Sequence, residues 1–173
     1  VVLAVTHTPG EDPRLFVFVD GRTRGALPFA VPDLSPRRWC ISPDGATLYA
    51  VDRERIRVLS LIDLSEGPSH AIPLQPLGAT FQAMGSPSSI IAAACAPNGS
   101  VLALLGPTRL VFYDVVRRET RLELARPIAE LPAAARFNPD GRWLAVTIFG
   151  GGLRVYDLAA FGESPAAPRR PDR

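Results

Sequence analysis

The two histidines of this chain are the side chains best suited to acid–base or metal chemistry, because an imidazole titrates near neutral pH and binds transition metals. His7 lies in a polar stretch with Glu11 and Asp12, a combination that a general base or a metal site could use. His70 falls on a predicted outer strand of its repeat. We interpret both as ordinary polar positions, so the sequence predicts no catalytic residues, no metal ligands and no cofactor.

The two cysteines could carry thiol chemistry or a disulfide. Cys40 and Cys95 each stand in an apolar stretch shortly before a Pro-Asp-Gly or Pro-Asn-Gly turn. Strands of stacked sheets lie about 10 Å apart, whereas a disulfide needs Cα atoms about 5.5–6 Å apart. We therefore predict two separate, unbridged core cysteines, and the pair gives no sign of a secreted protein.

The remaining polar side chains suggest structure more than catalysis. Ser86 and Ser89 have no His/Asp partner that would activate a nucleophile, and Gly150 to Gly152 join two strands, unlike a phosphate loop. Trp39 and Trp143 are predicted to pack in the core. Several aspartates recur with a repeated pattern, which favours a structural role in accepting backbone N–H groups at turns. They are Asp20, Asp44, Asp114, Asp140 and Asp157.

A repeated phrase determines the predicted architecture. It consists of an apolar residue, a spacer, Pro-Asp/Asn-Gly, two further residues and a leucine, and its three copies are 41–48, 95–102 and 137–144. A fourth copy, which lacks the part before its leucine, opens the chain. The equivalent leucines are therefore Leu3, Leu48, Leu102 and Leu144, which are 45, 54 and 42 residues apart. A period near 40–45 residues with about four strands indicates a propeller blade.

The predicted fold class is all-β, a β-propeller of four-stranded antiparallel blades present as an incomplete arc. Residues 1–161 form the partial propeller, and the last dozen residues, 162–173, form a disordered tail rich in Pro, Arg and Ala. The blade repeats are predicted at 1–35, 36–76, 89–130 and 133–161, with an insertion between the second and third. We expect the chain to be a segment of a longer protein.

Composition and charge exclude several partner classes. The net charge is only +2, and all 19 basic residues are arginines scattered among acids, so no nucleic-acid surface is predicted. No apolar run approaches the roughly 20 residues of a membrane span. No segment has the pattern of a signal peptide.

The last copy resembles the WD-repeat family of propellers, since Pro139-Asp140-Gly141 is followed by Leu153-Arg154-Val155-Tyr156-Asp157. Tyr156-Asp157 and Tyr113-Asp114 stand where that family has Trp-Asp, although the family's Gly-His dipeptide is missing. TolB-like and lactonase-like bacterial propellers share the turn and also fit. The resemblance implies blades that bury their apolar faces against neighbouring blades. An arc with open ends exposes such faces and is therefore expected to associate through its open edges.

The predicted functional surface is one rim of the arc. The loops between the second and third strands of each blade lie on this rim, together with the loops that connect consecutive blades. The leading hypothesis is a non-catalytic scaffold that binds a protein or peptide there, with candidate anchors at His7, Arg38, Arg53, Arg55 and Arg109. One alternative is a fragment of a propeller hydrolase or lactonase with its catalytic residues outside this chain, and another is a TolB-like or sensor repeat domain. No acid stands at the starts of the inner strands, which argues against a lactonase-type calcium site.

Overall fold

The computed structural model describes residues 2–6, 14–27, 36–51, 55–71, 90–126 and 130–161. Within these ranges the chain forms four antiparallel sheets, each a simple meander. The first sheet holds β1 (Val2–Thr6), β2 (Arg14–Val19) and β3 (Arg22–Ala26). The second holds β4 (Trp39–Ile41), β5 (Thr47–Val51), β6 (Arg55–Ser60) and β7 (His70–Ala71).

The last two sheets repeat this pattern. The third holds β8 (Ala92–Cys95), β9 (Val101–Leu105), β10 (Arg109–Asp114) and β11 (Glu119–Ala125). The fourth holds β12 (Pro132–Phe137), β13 (Trp143–Ile148) and β14 (Leu153–Asp157). Short 3-10 helices precede β4 at Pro36–Arg38 and follow β14 at Leu158–Phe161.

The three Pro-Asp/Asn-Gly turns share one structure. In each, the glycine has a left-handed backbone, which explains the residue type: φ is 72° at Gly45, 72° at Gly99 and 74° at Gly141. The preceding side-chain oxygen accepts the backbone N–H two residues later, at 2.9 Å for Asp44, 3.0 Å for Asn98 and 2.7 Å for Asp140. These carboxylates are therefore structural, as predicted.

Each turn sets the register of the hairpin that it closes. The repeat leucine pairs with the last residue of the inner strand, as in Ile41 with Leu48, Cys95 with Leu102 and Phe137 with Leu144. All three leucines are fully buried. The sequence repeat is thus a repeat of turn, register and core position.

Neighbouring sheets pack face to face in chain order. Leu15 and Val17 of the first sheet pack with Leu48 and Leu59 of the second. The other face of the second sheet packs on the third, and the third packs on the fourth. β9 shows the alternation directly, because Leu102 and Leu104 face the second sheet while Val101, Ala103 and Leu105 face the fourth.

The inner strands β4, β8 and β12 gather around one axis. Residues of β4 and of β12 come within 8 Å of β8, measured between Cα atoms. The segment before β4 reaches the fourth sheet, where the Arg37 guanidinium lies 4.5 Å from the ring centre of Phe149. Sheets that fan out from converging inner strands are the arrangement of a β-propeller, so the predicted incomplete arc is confirmed.

The fourth sheet leaves one face uncovered in the described part of the chain. Trp143, Leu153 and Val155 point from this face and are exposed, whereas Leu144 and Val146 on the other face are buried. The prediction that Trp143 packs in the core is therefore wrong here, because the sheet that would cover this face is not among those described. Trp39 packs partly against the core between the first and second sheets.

Several predictions fall on residues outside the described ranges. They include the insertion between the second and third repeats and the tail 162–173. The predicted repeat boundaries stay predictions. Among the described residues, no helix is long and apolar enough to cross a membrane.

Candidate functional site

A cavity of about 480 Å³ opens where the inner strands end. Its walls include Trp39 and Cys40 of β4, Ala94 and Cys95 of β8, and Arg136 of β12, with further residues from the turns that follow β8 and β12. We call this the turn end of the arc, because it lies at the Pro-Asp/Asn-Gly turns. The convergence of three inner strands therefore creates a cavity that no single repeat contains.

The two cysteines meet in this cavity. The Cys40 side chain is buried and that of Cys95 is half-buried, and both line the cavity, where the two side chains interact. Cys95 in its thiol form lies 3.6 Å from the carbonyl oxygen of Ala96, to which it donates. The predicted separation of the two cysteines is therefore wrong, although both are free thiols as predicted.

The physical reason for this error is radial geometry. Sheets that fan out from an axis are about 10 Å apart only in their middle and outer parts. Cys40 and Cys95 lie on β4 and β8, the innermost strands, where the spacing between sheets is smallest. Sequence position within the blade could have signalled this, because both cysteines precede the first turn of their repeats.

The interaction between the two thiols shifts their pKa values in opposite directions. The pKa of Cys40 is raised well above its ordinary value by its interaction with Cys95 and by burial, while Arg136 acts in the opposite direction. The pKa of Cys95 is lowered by its interaction with Cys40, against the effects of burial and of Asp44. If one thiolate forms in the cavity, its sulfur is that of Cys95.

The predicted rim residues lie at the opposite end of the sheets. Arg38 ends the 3-10 helix before β4 and is half-buried, and it has interactions within the protein. Arg55 begins β6 and is exposed. Arg109 begins β10 and forms an ion pair with Glu123 at 2.7 Å, so its guanidinium is used within its own sheet. His7 and Arg53 lie outside the described residues.

Sequence reasoning missed the contact that dominates the described rim. Arg37 stacks on Phe149, which is 47% exposed, in the loop between β13 and β14. The Phe149 N–H donates to the carbonyl oxygen of Leu131 at 2.9 Å, and Leu131 is also exposed. An aromatic residue directly before Gly150 to Gly152 was the available signal, since it stands in a loop and outside the alternation of the strand.

The strand-end aspartates stabilise their own sheets through hydrogen bonds and ion pairs. Asp114 is 2% exposed and accepts N–H groups of Val116 at 2.9 Å and Arg117 at 2.8 Å, and it pairs with Arg121 at 2.6 Å. Asp157 holds the equivalent place in the fourth sheet and pairs with Arg142 at 3.0 Å. Their oxygens are committed to the fold and are poorly suited to acid catalysis.

His70 is also part of the packing. It lies in β7, is buried, and its ring centre is 6.3 Å from that of Tyr113. Burial, together with the charge of Arg118, lowers the pKa of His70 below its ordinary value of 6.5. Within the described ranges, no group of three or more His, Cys, Asp or Glu side chains could hold a metal ion.

Comparison with known proteins identifies the fold. No protein-family model matches the chain, and no curated protein sequence does either. The structure is similar to that of hydrazine synthase from Kuenenia stuttgartiensis, with 17% identity and a TM-score of 0.55 over 83% of this chain and 37% of that chain. It is also similar to U3-55K, with 14% identity and a TM-score of 0.54 over 75% of this chain and 38% of that chain.

Both similar structures are β-propeller proteins. Identities of 14–17% show a shared fold and nothing finer. The chain spans 37–38% of the length of these two structures. It is therefore an all-β chain with the fold of an incomplete β-propeller.

Proposed function

We propose that this arc is a non-catalytic, WD-repeat-like module that binds a protein or peptide through its rim. The observation that carries the proposal is the exposed Phe149 ring under the Arg37 guanidinium, beside exposed Leu131. Aromatic and arginine side chains dominate the binding energy of protein interfaces. Rigid strands on both sides of the loop hold these side chains in place at little entropic cost.

The chemistry of the rim favours a partner that carries both an apolar and an acidic side chain. Phe149 and Leu131 offer apolar area, and Arg37 and Arg55 offer guanidinium groups that match a carboxylate in two parallel hydrogen bonds. Arg109 contributes less, because Glu123 already holds its guanidinium. A peptide with one large apolar residue near an Asp or Glu fits this description.

WD-like character is supported by the two strand-end aspartates. Asp114 and Asp157 follow tyrosines at the place of the family's Trp-Asp, and each pairs with an arginine of its own sheet. The uncovered face of the fourth sheet supports a second mode of binding, the self-association of arcs through their open ends. The two modes use different surfaces and can be tested separately.

The rim proposal is tested by selecting peptides from a random displayed library on the immobilised chain and titrating them against variants. Arg37→Ala, Arg55→Ala and Phe149→Ala should each weaken the selected peptides at least about tenfold. Val116→Ala and Arg117→Ala are matched controls, because both side chains are exposed in the turn between β10 and β11, at the other end of the sheet. Enrichment of no peptide, or equal loss in the controls, would refute rim binding.

A further inference from the structure

The thiol pair in the turn-end cavity has no part in rim binding. Cys40 and Cys95 are 55 residues apart in sequence and belong to different sheets, yet their side chains line the same cavity and pack in the same buried cluster. They are the only cysteines of the chain. Both line a cavity of about 480 Å³, and a small reagent that enters it can reach the less buried of the two, Cys95.

We propose that Cys40 and Cys95 form a modification site at which a small anionic disulfide, of the class of oxidised glutathione, introduces a disulfide between the second and third sheets. Disulfide bonds need sulfur atoms that can approach to about 2.05 Å with little backbone movement. Cys40 and Cys95 stand on β4 and β8, strands whose Cα atoms come within 8 Å of each other, and their side chains share one cavity, so little movement is needed. The bond would join β4 to β8 where the inner strands converge.

The environments of the two cysteines assign their order of reaction. Cys95 is half-buried and lines the cavity, whereas Cys40 is buried. The thiolate is the nucleophile in exchange, and the interaction with Cys40 lowers the pKa of Cys95. Cys95 is therefore the sulfur that meets the reagent, and Cys40 is the sulfur that resolves the intermediate.

The exchange balances without any further reactant. The Cys95 thiolate attacks one sulfur of oxidised glutathione, which forms a mixed disulfide and releases one glutathione thiolate that takes up the Cys95 proton. The Cys40 sulfur then attacks the sulfur of Cys95, loses its proton and displaces the second glutathione as its thiol. Two protein thiols and one small disulfide give one protein disulfide and two glutathione thiols.

Arg136 gives the site its charge preference. Its side chain lies in the same cavity, on the exposed side of β12, and its positive charge acts on Cys40. Carboxylates of glutathione are attracted to a guanidinium, whereas a cationic disulfide such as cystamine is repelled. Asp44 is the opposing charge near Cys95, so Arg136 is a positioning residue for the anionic reagent.

The primary test uses the unaltered chain in glutathione redox buffers. The folded chain should form the Cys40–Cys95 disulfide as a monomer, seen as the loss of both thiols to alkylation and the loss of two hydrogens in the mass spectrum. Its equilibrium with glutathione should favour the disulfide at least tenfold more than that of the urea-unfolded chain. An equilibrium no more favourable than in urea, or only intermolecular products, would overturn the proposal.

Variants test the order of reaction and the role of Arg136. Cys40→Ser should stop at a mixed disulfide with one glutathione on Cys95, and Cys95→Ser should react with glutathione at least tenfold more slowly. Arg136→Ala should slow the reaction with oxidised glutathione relative to cystamine, whereas Arg117→Ala should leave that ratio unchanged. Faster reaction at Cys40 than at Cys95, or a ratio that Arg136→Ala does not change, would contradict the assigned roles.

Discussion

The third and fourth sheets carry the same repeat and show opposite environments. Leu110 in β10 and Leu153 in β14 occupy the same position, four residues before the strand-end aspartate, yet Leu110 is 0% exposed and Leu153 is 62% exposed. The third sheet has packed neighbours on both faces. The fourth has one packed face and one open face in the described part of the chain.

This difference shows that burial in the arc depends on the neighbouring sheet. The strand sequence supplies apolar side chains on both faces, and each face becomes core only when another sheet packs on it. The same residue type at the same repeat position therefore contributes very different amounts of stability.

The leucine pair gives the largest expected contrast. Leu110→Ala removes a fully buried side chain and should lower the free energy of unfolding by about 2–5 kcal/mol. Leu153→Ala removes an exposed one and should change it by no more than about 0.5 kcal/mol. Urea unfolding followed by circular dichroism measures both, and equal losses would show that the open face of the fourth sheet is covered.

The aspartate pair gives a smaller contrast. Asp114→Ala removes the acceptor of the Val116 and Arg117 N–H groups and the carboxylate that pairs with Arg121, and should cost about 1–3 kcal/mol. Asp157→Ala should cost less, because its side chain is 25% exposed and water can replace part of the lost acceptor. The same urea experiment ranks the two variants, and a reversed order would contradict the comparison.

The pH dependence of stability should follow the same ranking. Burial opposes ionisation of Asp114, but its backbone N–H donors and Arg121 outweigh burial and lower its pKa. The carboxylate therefore stabilises the fold fully above its unfolded pKa of about 4, and this contribution is lost as the pH falls through the lower folded pKa. The stability gap between the unaltered chain and Asp114→Asn should shrink from pH 7 to pH 3.

The control for this titration is Asp157→Asn, whose gap should be smaller at pH 7 and should change less on acidification. A gap for Asp114→Asn that is constant with pH would mean that its carboxylate contributes no charge-dependent stability. Both variants keep the size of the side chain, so packing does not enter the comparison.

Substitutions on the open face of the fourth sheet should barely change stability but should weaken self-association of the chain. Leu153→Ser with Val155→Ser makes the open face polar and should change the free energy of unfolding by no more than about 0.5 kcal/mol. Sedimentation velocity should show weaker self-association than in the unaltered chain. Replacing exposed Ile62 by serine at the turn between β6 and β7 is the control and should leave association unchanged.

Local sequence determined much of the architecture. Proline, Asp or Asn, and glycine at fixed offsets predicted the three hairpins. The strand after each turn begins two residues beyond the turn glycine, as in β5 at Thr47–Val51 and β13 at Trp143–Ile148. Turn chemistry and strand alternation act over a few residues, so one sequence suffices to read them.

The site depends on contacts between repeats, and these were not predictable in the same way. The meeting of Cys40 with Cys95 follows from how closely inner strands converge, and the stacking of Arg37 on Phe149 joins segments more than 100 residues apart. Neither distance is encoded within a repeat. Arg55 and Arg109 begin β6 and β10, and Arg38 ends the 3-10 helix before β4. The ion pair of Arg109 with Glu123 could not be predicted without the pairing of β10 with β11.

The turn at Asn98-Gly99 also bears on how the protein ages. Asparagine before glycine is the pair in which the glycine nitrogen most readily attacks the asparagine side chain, and loss of ammonia then converts asparagine to aspartate. Here the Gly99 N–H is held by the carbonyl oxygen of Ala96 at 2.9 Å, which restrains that nitrogen. Conversion of Asn98 to ordinary aspartate would give the same Pro-Asp-Gly turn that Asp44 and Asp140 already form. This deamidation would therefore leave the hairpin intact.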